Sequence, residues 1–163
     1  MTDTISVSIE YNDSRLIHAE FSSCRSAIEG TGYGKYVLEQ LDAYFSGKLK
    51  SFDIDFAFRG TEFTRDVLKA IQRIPYGETI SYKELAESSG HPKAHRAAAN
   101  VCASNDIVLV IPCHRVIRSN GDTGGFGADP SLKRHLIEWE KHNIKSSSKS
   151  QGQPFTSETS ILN

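Results

Sequence analysis

Ile5-Ser6-Val7-Ser8-Ile9 alternates apolar and polar positions at period two, Tyr11-Asn12-Asp13-Ser14 supplies turn chemistry, and Leu16 to Phe21 resumes an extended pattern. A β-hairpin is predicted here. Val37, Leu38, Leu41, Tyr44 and Phe45 then fall at helical spacing up to Ser46-Gly47, and Phe52, Ile54, Phe56 and Phe58 alternate like a strand. Beyond Arg59-Gly60 the pattern becomes helical. Thr61 or Thr64 can cap a helix carrying Phe63, Val67, Leu68, Ile71 and Ile74, which stops before Pro75-Tyr76-Gly77.

Ser81 and Glu84 have capping-box spacing at the head of a short helix that Ser89-Gly90-His91-Pro92 breaks, and a second helix follows from Lys93 to about Ala103. Two short helices about a tight turn match a helix-turn-helix as well as an ordinary αα-hairpin. The second is rich in Ala (94, 97, 98, 99 and 103), so it can approach another surface closely. The apolar run Ile107–Ile111 predicts a buried strand that Pro112 ends, Gly121 to Gly127 predicts a loop, and Leu132, Leu136, Ile137 and Trp139 mark a closing helix. The expected class is α+β: an N-terminal lobe with a β-sheet over 1–58, a mostly helical domain with the helix-turn-helix over 59–145, and a disordered Ser/Lys/Gln/Thr-rich tail over 146–163.

Composition changes this picture little. The 163 residues suffice for one sizeable core, and no apolar stretch is long enough to span a bilayer. The N-terminus lacks a basic or apolar signal core, so an intracellular location, cytoplasmic or nuclear, is expected. Cys24, Cys102 and Cys113 form an odd set without a CxxC pair, which fits reduced thiols. Charge is uneven: residues 1–58 hold five Lys/Arg against nine Asp/Glu, and residues 59–145 hold thirteen against ten. An excess that small does not identify a polyanion binder and only points to the second half as the likelier face.

The candidate chemistry lies in Pro112-Cys113-His114-Arg115-Val116. A thiol where an apolar run turns outward is either a buried structural cysteine or a nucleophile, and the adjacent His114 and Arg115 suggest a lowered thiol pKa.

Taken with Arg59-Gly60-Thr61-Glu62-Phe63, Ile74-Pro75-Tyr76-Gly77-Glu78-Thr79-Ile80-Ser81-Tyr82, Pro92-Lys93-Ala94-His95-Arg96-Ala97 and Asn105, this motif resembles the O6-alkylguanine-DNA alkyltransferase family, in order, over roughly residues 38 to 142. The resemblance implies direct reversal of alkylation: an alkyl group passes from O6 of guanine, and from O4 of thymine, in duplex DNA to Cys113, once per molecule. By the same resemblance, His114 acts on Cys113 through a water and is oriented by Glu140, and Tyr82 protonates the departing guanine. Arg96 takes the place of the nucleotide flipped out through the minor groove, with Ser81, Tyr82, Ala97 and Arg115 at the DNA. Asn105 and Val116 support the pocket, and Phe126 and Gly127 stand where the family commonly has Tyr and, in some members, Ser. No cofactor and no metal are implied, since Cys24 with His18 falls short of a four-ligand zinc site. The expected partner is double-stranded DNA bearing O6-alkylguanine, met by a monomer that can assemble cooperatively on DNA, with no membrane. Two rival classes are a non-enzymatic lesion binder, which would lack the nucleophile, and a cysteine hydrolase, whose Cys and His normally come from distant positions.

Overall fold

The structure is a computed structural model and describes residues 5–22, 32–124, 130–146 and 157–161. In chain order its elements are β1 (Ile5–Tyr11), β2 (Leu16–Ser22), α1 (Tyr33–Phe45), α2 (Glu62–Gln72), β3 (Ile80–Ser81), α3 (Tyr82–Ser88), α4 (His95–Ala103), a 3₁₀ turn (Cys113–Arg115), β4 (Val116–Ile117), α5 (Pro130–Ser146) and β5 (Ser157–Ile161). The class is α+β, as the patterning predicts. One compact unit takes in the chain up to Ala57 with Asp106–Val110 and β5; the other comprises Phe58–Asn105 and the chain from Ile111 through α5.

In the first unit β1 lies between β2, antiparallel, and β5, parallel. Asn12 Oδ1 accepts from the backbone N–H groups of Ser14 and Arg15, which closes the hairpin turn. Val7 and Ile9 are buried as the alternation predicts, but so are Ser6 and Ser8 on the other face. The expected disordered tail over 146–163 is corrected at Ser157–Ile161, which forms β5. Its pairing runs through backbone groups, so a polar composition does not prevent it.

Two predicted strands are absent. Phe52–Phe58 makes a single bridge, Leu16 to Phe56, because side chains of α1 occupy its backbone groups. The Tyr36 hydroxyl and Gln40 Nε2 both donate to Asp53 O, Gln40 Oε1 accepts from Asp53 N–H, and the Tyr33 hydroxyl donates to Asp55 O. The Ile107–Ile111 run likewise has one bridge, Ala19 to Ile107, and then turns: Val110 N–H donates to Val108 O at 2.9 Å, and Leu109 has φ 68°. Leu109 is the one non-glycine residue with positive φ among the described residues. Ile107, Leu109, Val110 and Ile111 are all buried, and hydropathy cannot distinguish a buried turn from a buried strand.

In the second unit Thr61 caps α2 by accepting from Thr64 N–H, and Val67, Leu68, Ala70 and Ile71 are its buried stripe. The Ser81/Glu84 capping box starts α3. α3 and α4 form the expected helix pair, and its turn is fastened to α2 by His91 Nε2 with Asp66 Oδ2 (3.1 Å) and by Arg73 Nη2 donating to Ser88 O (3.2 Å). β3 and β4 pair in parallel, Ile80 with Val116 and Ser81 with Ile117. Those two rungs place the head of α3 next to the chain leaving Cys113.

Candidate active site and nucleic-acid interface

Cys113 opens the 3₁₀ turn and is 4% exposed. Asn105, just beyond α4, donates its Nδ2 to Ile111 O (3.0 Å) and to Cys113 Sγ (3.1 Å), so the amide fixes both the backbone that delivers the thiol and the sulfur itself. Burial pushes the Cys113 pKa up, against the pull of the Asn105 hydrogen bond and the Lys133 charge. The expected net lowering beside His114 and Arg115 is thereby corrected: burial outweighs every lowering contribution, the His114 backbone hydrogen bond included, while the side chains of His114 and Arg115 are turned to Glu140.

Glu140, on α5 and fully buried, is the hub of the site. Its Oε1 pairs with His114 Nε2 at 2.8 Å and accepts from Arg115 Nη2 at 2.9 Å; its Oε2 accepts from Arg115 Nε at 3.0 Å and from Gly77 N–H at 2.9 Å. Arg115 Nη1 donates to Ile74 O (2.7 Å), and its guanidinium lies 5.5 Å from the Tyr76 ring centroid. The Ile74-Pro75-Tyr76-Gly77 motif thus serves to close this network. Burial alone would raise the Glu140 pKa, but its hydrogen bonds and the facing charges hold it at about 2. Burial lowers the His114 pKa, so the imidazole is neutral and the Arg115 guanidinium balances the carboxylate. With Nε2 donating to Glu140, His114 Nδ1 is an acceptor; it is buried and has no hydrogen-bond partner among the described residues.

Tyr82, the first residue of α3, is half-buried, and its pKa is pushed up to about 12 by burial and then by the neighbouring thiols of Cys102 and Cys113. It stays protonated at neutral pH. Lys133 on α5, 1% exposed, places Nζ 3.4 Å from the Tyr82 hydroxyl and 5.6 Å from its ring centroid. Burial lowers the Lys133 pKa, and the thiols of Cys113 and Cys102 oppose that shift. The Cys102 thiol is likewise raised, to about 12 and chiefly by burial.

Residues 62–142 match the family model described as 6-O-methylguanine DNA methyltransferase, DNA binding domain. The methylated-DNA--protein-cysteine methyltransferase of Methanosarcina barkeri is 45% identical over 118 residues, 72% of this chain and 75% of that protein. That of Mycolicibacterium paratuberculosis is 46% identical over 110 residues, 68% of this chain and 67% of that one. This chain belongs to the methylated-DNA--protein-cysteine methyltransferase family. Among solved structures, Mycobacterium tuberculosis OGT in complex with DNA superposes with a TM-score of 0.74 at 34% identity, covering 85% of this chain and 94% of that one.

Of the other residues that the methyltransferase resemblance singled out, Arg96 and Ala97 are exposed on the first turn of α4, while Ala98 faces the core. Ser81 spends its hydroxyl on the α3 cap. Val116 is fully buried at the β3–β4 pair. Arg115, expected at the DNA, is corrected to a role inside the protein: it is 5% exposed and committed to Glu140 and Ile74. Phe126, Gly127 and Cys24 lie outside the described residues. Lys133 was missed. The signal for it was present, since Lys133, Leu136, Ile137 and Glu140 stand at i, i+3, i+4 and i+7 and form one helix face.

Proposed function

We propose that the chain repairs DNA by direct reversal, transferring a methyl or other alkyl group from O6 of guanine, and from O4 of thymine, in duplex DNA to Cys113 in one irreversible, stoichiometric step. As a member of its family it is a methylated-DNA--[protein]-cysteine S-methyltransferase acting in DNA repair. The observation that carries the reading is the buried thiol gripped by Asn105 beside a neutral His114 that Glu140 and Arg115 hold in place.

His114 Nδ1 takes the thiol proton through one water, and the thiolate, stabilised by the Asn105 N–H donor, attacks the alkyl carbon. The carbon–O6 bond breaks, its electron pair goes to the guanine, and the Tyr82 hydroxyl supplies the proton that makes the leaving base neutral. The Lys133 ammonium beside that hydroxyl offsets the charge left on the phenol. A thioether has no easy way back, so one molecule acts once. Reaching Cys113 requires extruding the nucleotide, at about a few kcal/mol. Arg96, exposed among alanines on α4, fills the space it leaves, and the small side chains let the helix approach the minor groove.

Incubation with duplex DNA carrying O6-methylguanine, followed by intact mass spectrometry and peptide mapping, tests the reading. One methyl per chain on Cys113 is expected, and Cys113→Ser should bind the duplex without accepting it. A methyl group on Cys24 or Cys102, or transfer by Cys113→Ser, would falsify the assignment.

A further inference from the structure

We infer that Arg118 forms a second nucleic-acid contact, a site for the backbone phosphodiester flanking the extruded nucleotide; the inference rests on the reading of Cys113 and Tyr82 above. Arg118 follows β4 and heads a closed loop: its N–H donates to Asp122 O (2.8 Å), and its carbonyl accepts from Gly121 N–H (2.9 Å). The Asp122 carboxylate is fixed within that loop, Oδ1 accepting from Gly124 N–H (3.2 Å) and Oδ2 from Arg118 Nη1 (3.0 Å). One guanidinium nitrogen is therefore held, while Nε and Nη2 make no hydrogen bond to a described residue and the side chain is 59% exposed.

Its position gives this fork a purpose. A point one bond out from the Gly124 Cα lies 3.5 Å from Arg118 Nε and 3.7 Å from the Tyr82 hydroxyl oxygen, so the guanidinium and the phenol both border the space over Gly124. Its charge is felt there: Arg118 acts to lower the Tyr82 pKa and repels Lys133. A base reaching Cys113 past Tyr82 leaves its own phosphates at the rim, within reach of a planar donor fork that suits two phosphate oxygens. An exposed i,i+4 pair contributes only about 0–1 kcal/mol, so Asp122 orients the guanidinium without saturating it.

The test uses single-turnover transfer from duplexes holding one O6-methylguanine, with each flanking phosphate replaced in turn by a neutral methylphosphonate. At one flanking position the neutral linkage should slow the native chain by roughly three- to tenfold, as loss of a screened charge-assisted contact predicts, and should have no effect on Arg118→Gln. The same variant should lower the slope of log affinity against log salt by about one. Its loss should be confined to duplex substrates, with O6-methylguanine base as the comparison. Equal sensitivity of both proteins to every neutral linkage would overturn the inference, as would an equal loss on free base and duplex, which would place Arg118 in the chemistry at Tyr82. Failure of the native chain to react with any substrate would instead sink the reading of Cys113.

Discussion

Glu140→Gln keeps the shape of the carboxylate and removes the charge that Arg115 and His114 face. Leaving a buried guanidinium unpaired costs about 3–5 kcal/mol, so the variant should unfold at markedly lower urea and transfer alkyl groups poorly. The pH dependence has a defined sign. Glu140 titrates at about 2 in the folded chain against about 4.3 unfolded, so its contribution is complete above the unfolded value and is lost as pH falls towards the folded one. His114, lowered by burial, acts in the same direction: below about pH 6.5 the unfolded chain takes up the proton and the folded chain does not. Urea unfolding from pH 7 to pH 3 should therefore show falling stability, with a flatter profile below pH 4.5 in Glu140→Gln. Parallel profiles would mean that the carboxylate is not the acid-labile group.

Gly77, between α2 and β3, illustrates how an element end depends on a distant helix. Its φ is 78°, its N–H donates to Glu140, and an added Cβ would run into the Ile144 side chain. Gly77→Ala should cost about 1–2 kcal/mol from the backbone conformation alone. Adding Ile144→Ala should relieve the overlap but not the conformational cost, so a double variant as stable as the parent would refute the account. What was legible in the chain follows the same division. The Ser81/Glu84 box, the choice of Thr61 or Thr64 as a cap, and Leu136 with Ile137 in α5 are local, and short-range patterns revealed them. The expected Leu132 and Trp139 are only half-buried, with Lys133 and Glu140 completing the buried face instead. The Gly77–Glu140 bond spans 63 positions, and no window of sequence contains it. Cys113 and His114 were found because they are adjacent. Lys133 was not, because a lysine in a helix is ordinarily a solvent-facing residue, and only its phase with Leu136 and Glu140 marks it as buried.

For the whole molecule, the C-terminal strand is the feature that composition most misrepresents. β5 pairs along β1 from Ile5 to Ile9, opposite the edge that β2 occupies. Truncation after Ser146 should uncover that edge and raise amide exchange through β1, while α2 to α4 keep their protection. Unchanged exchange in β1 would show that the strand pairing is not populated in solution. The two lost strands, Phe52–Phe58 and Ile107–Ile111, have the opposite cause: their patterns are strand-like, but Tyr33, Tyr36 and Gln40 in one case and the turn at Leu109 in the other take over the backbone.

The Glu140 network also sets a timetable. Its hydrogen bonds join α5 to segments 25, 26 and 63 positions earlier in the chain, closures that come after local helices have formed. On the ribosome, Cys113 and His114 emerge together well before Glu140, so a growing chain carries its thiol and imidazole without the carboxylate that holds that imidazole in place. On the proposed reading, the molecule acquires its chemistry only when synthesis has passed α5. Nascent chains stalled with α5 still in the exit tunnel should therefore leave methylated DNA untouched, and methyl transfer by such chains would show that the site matures without its last helix.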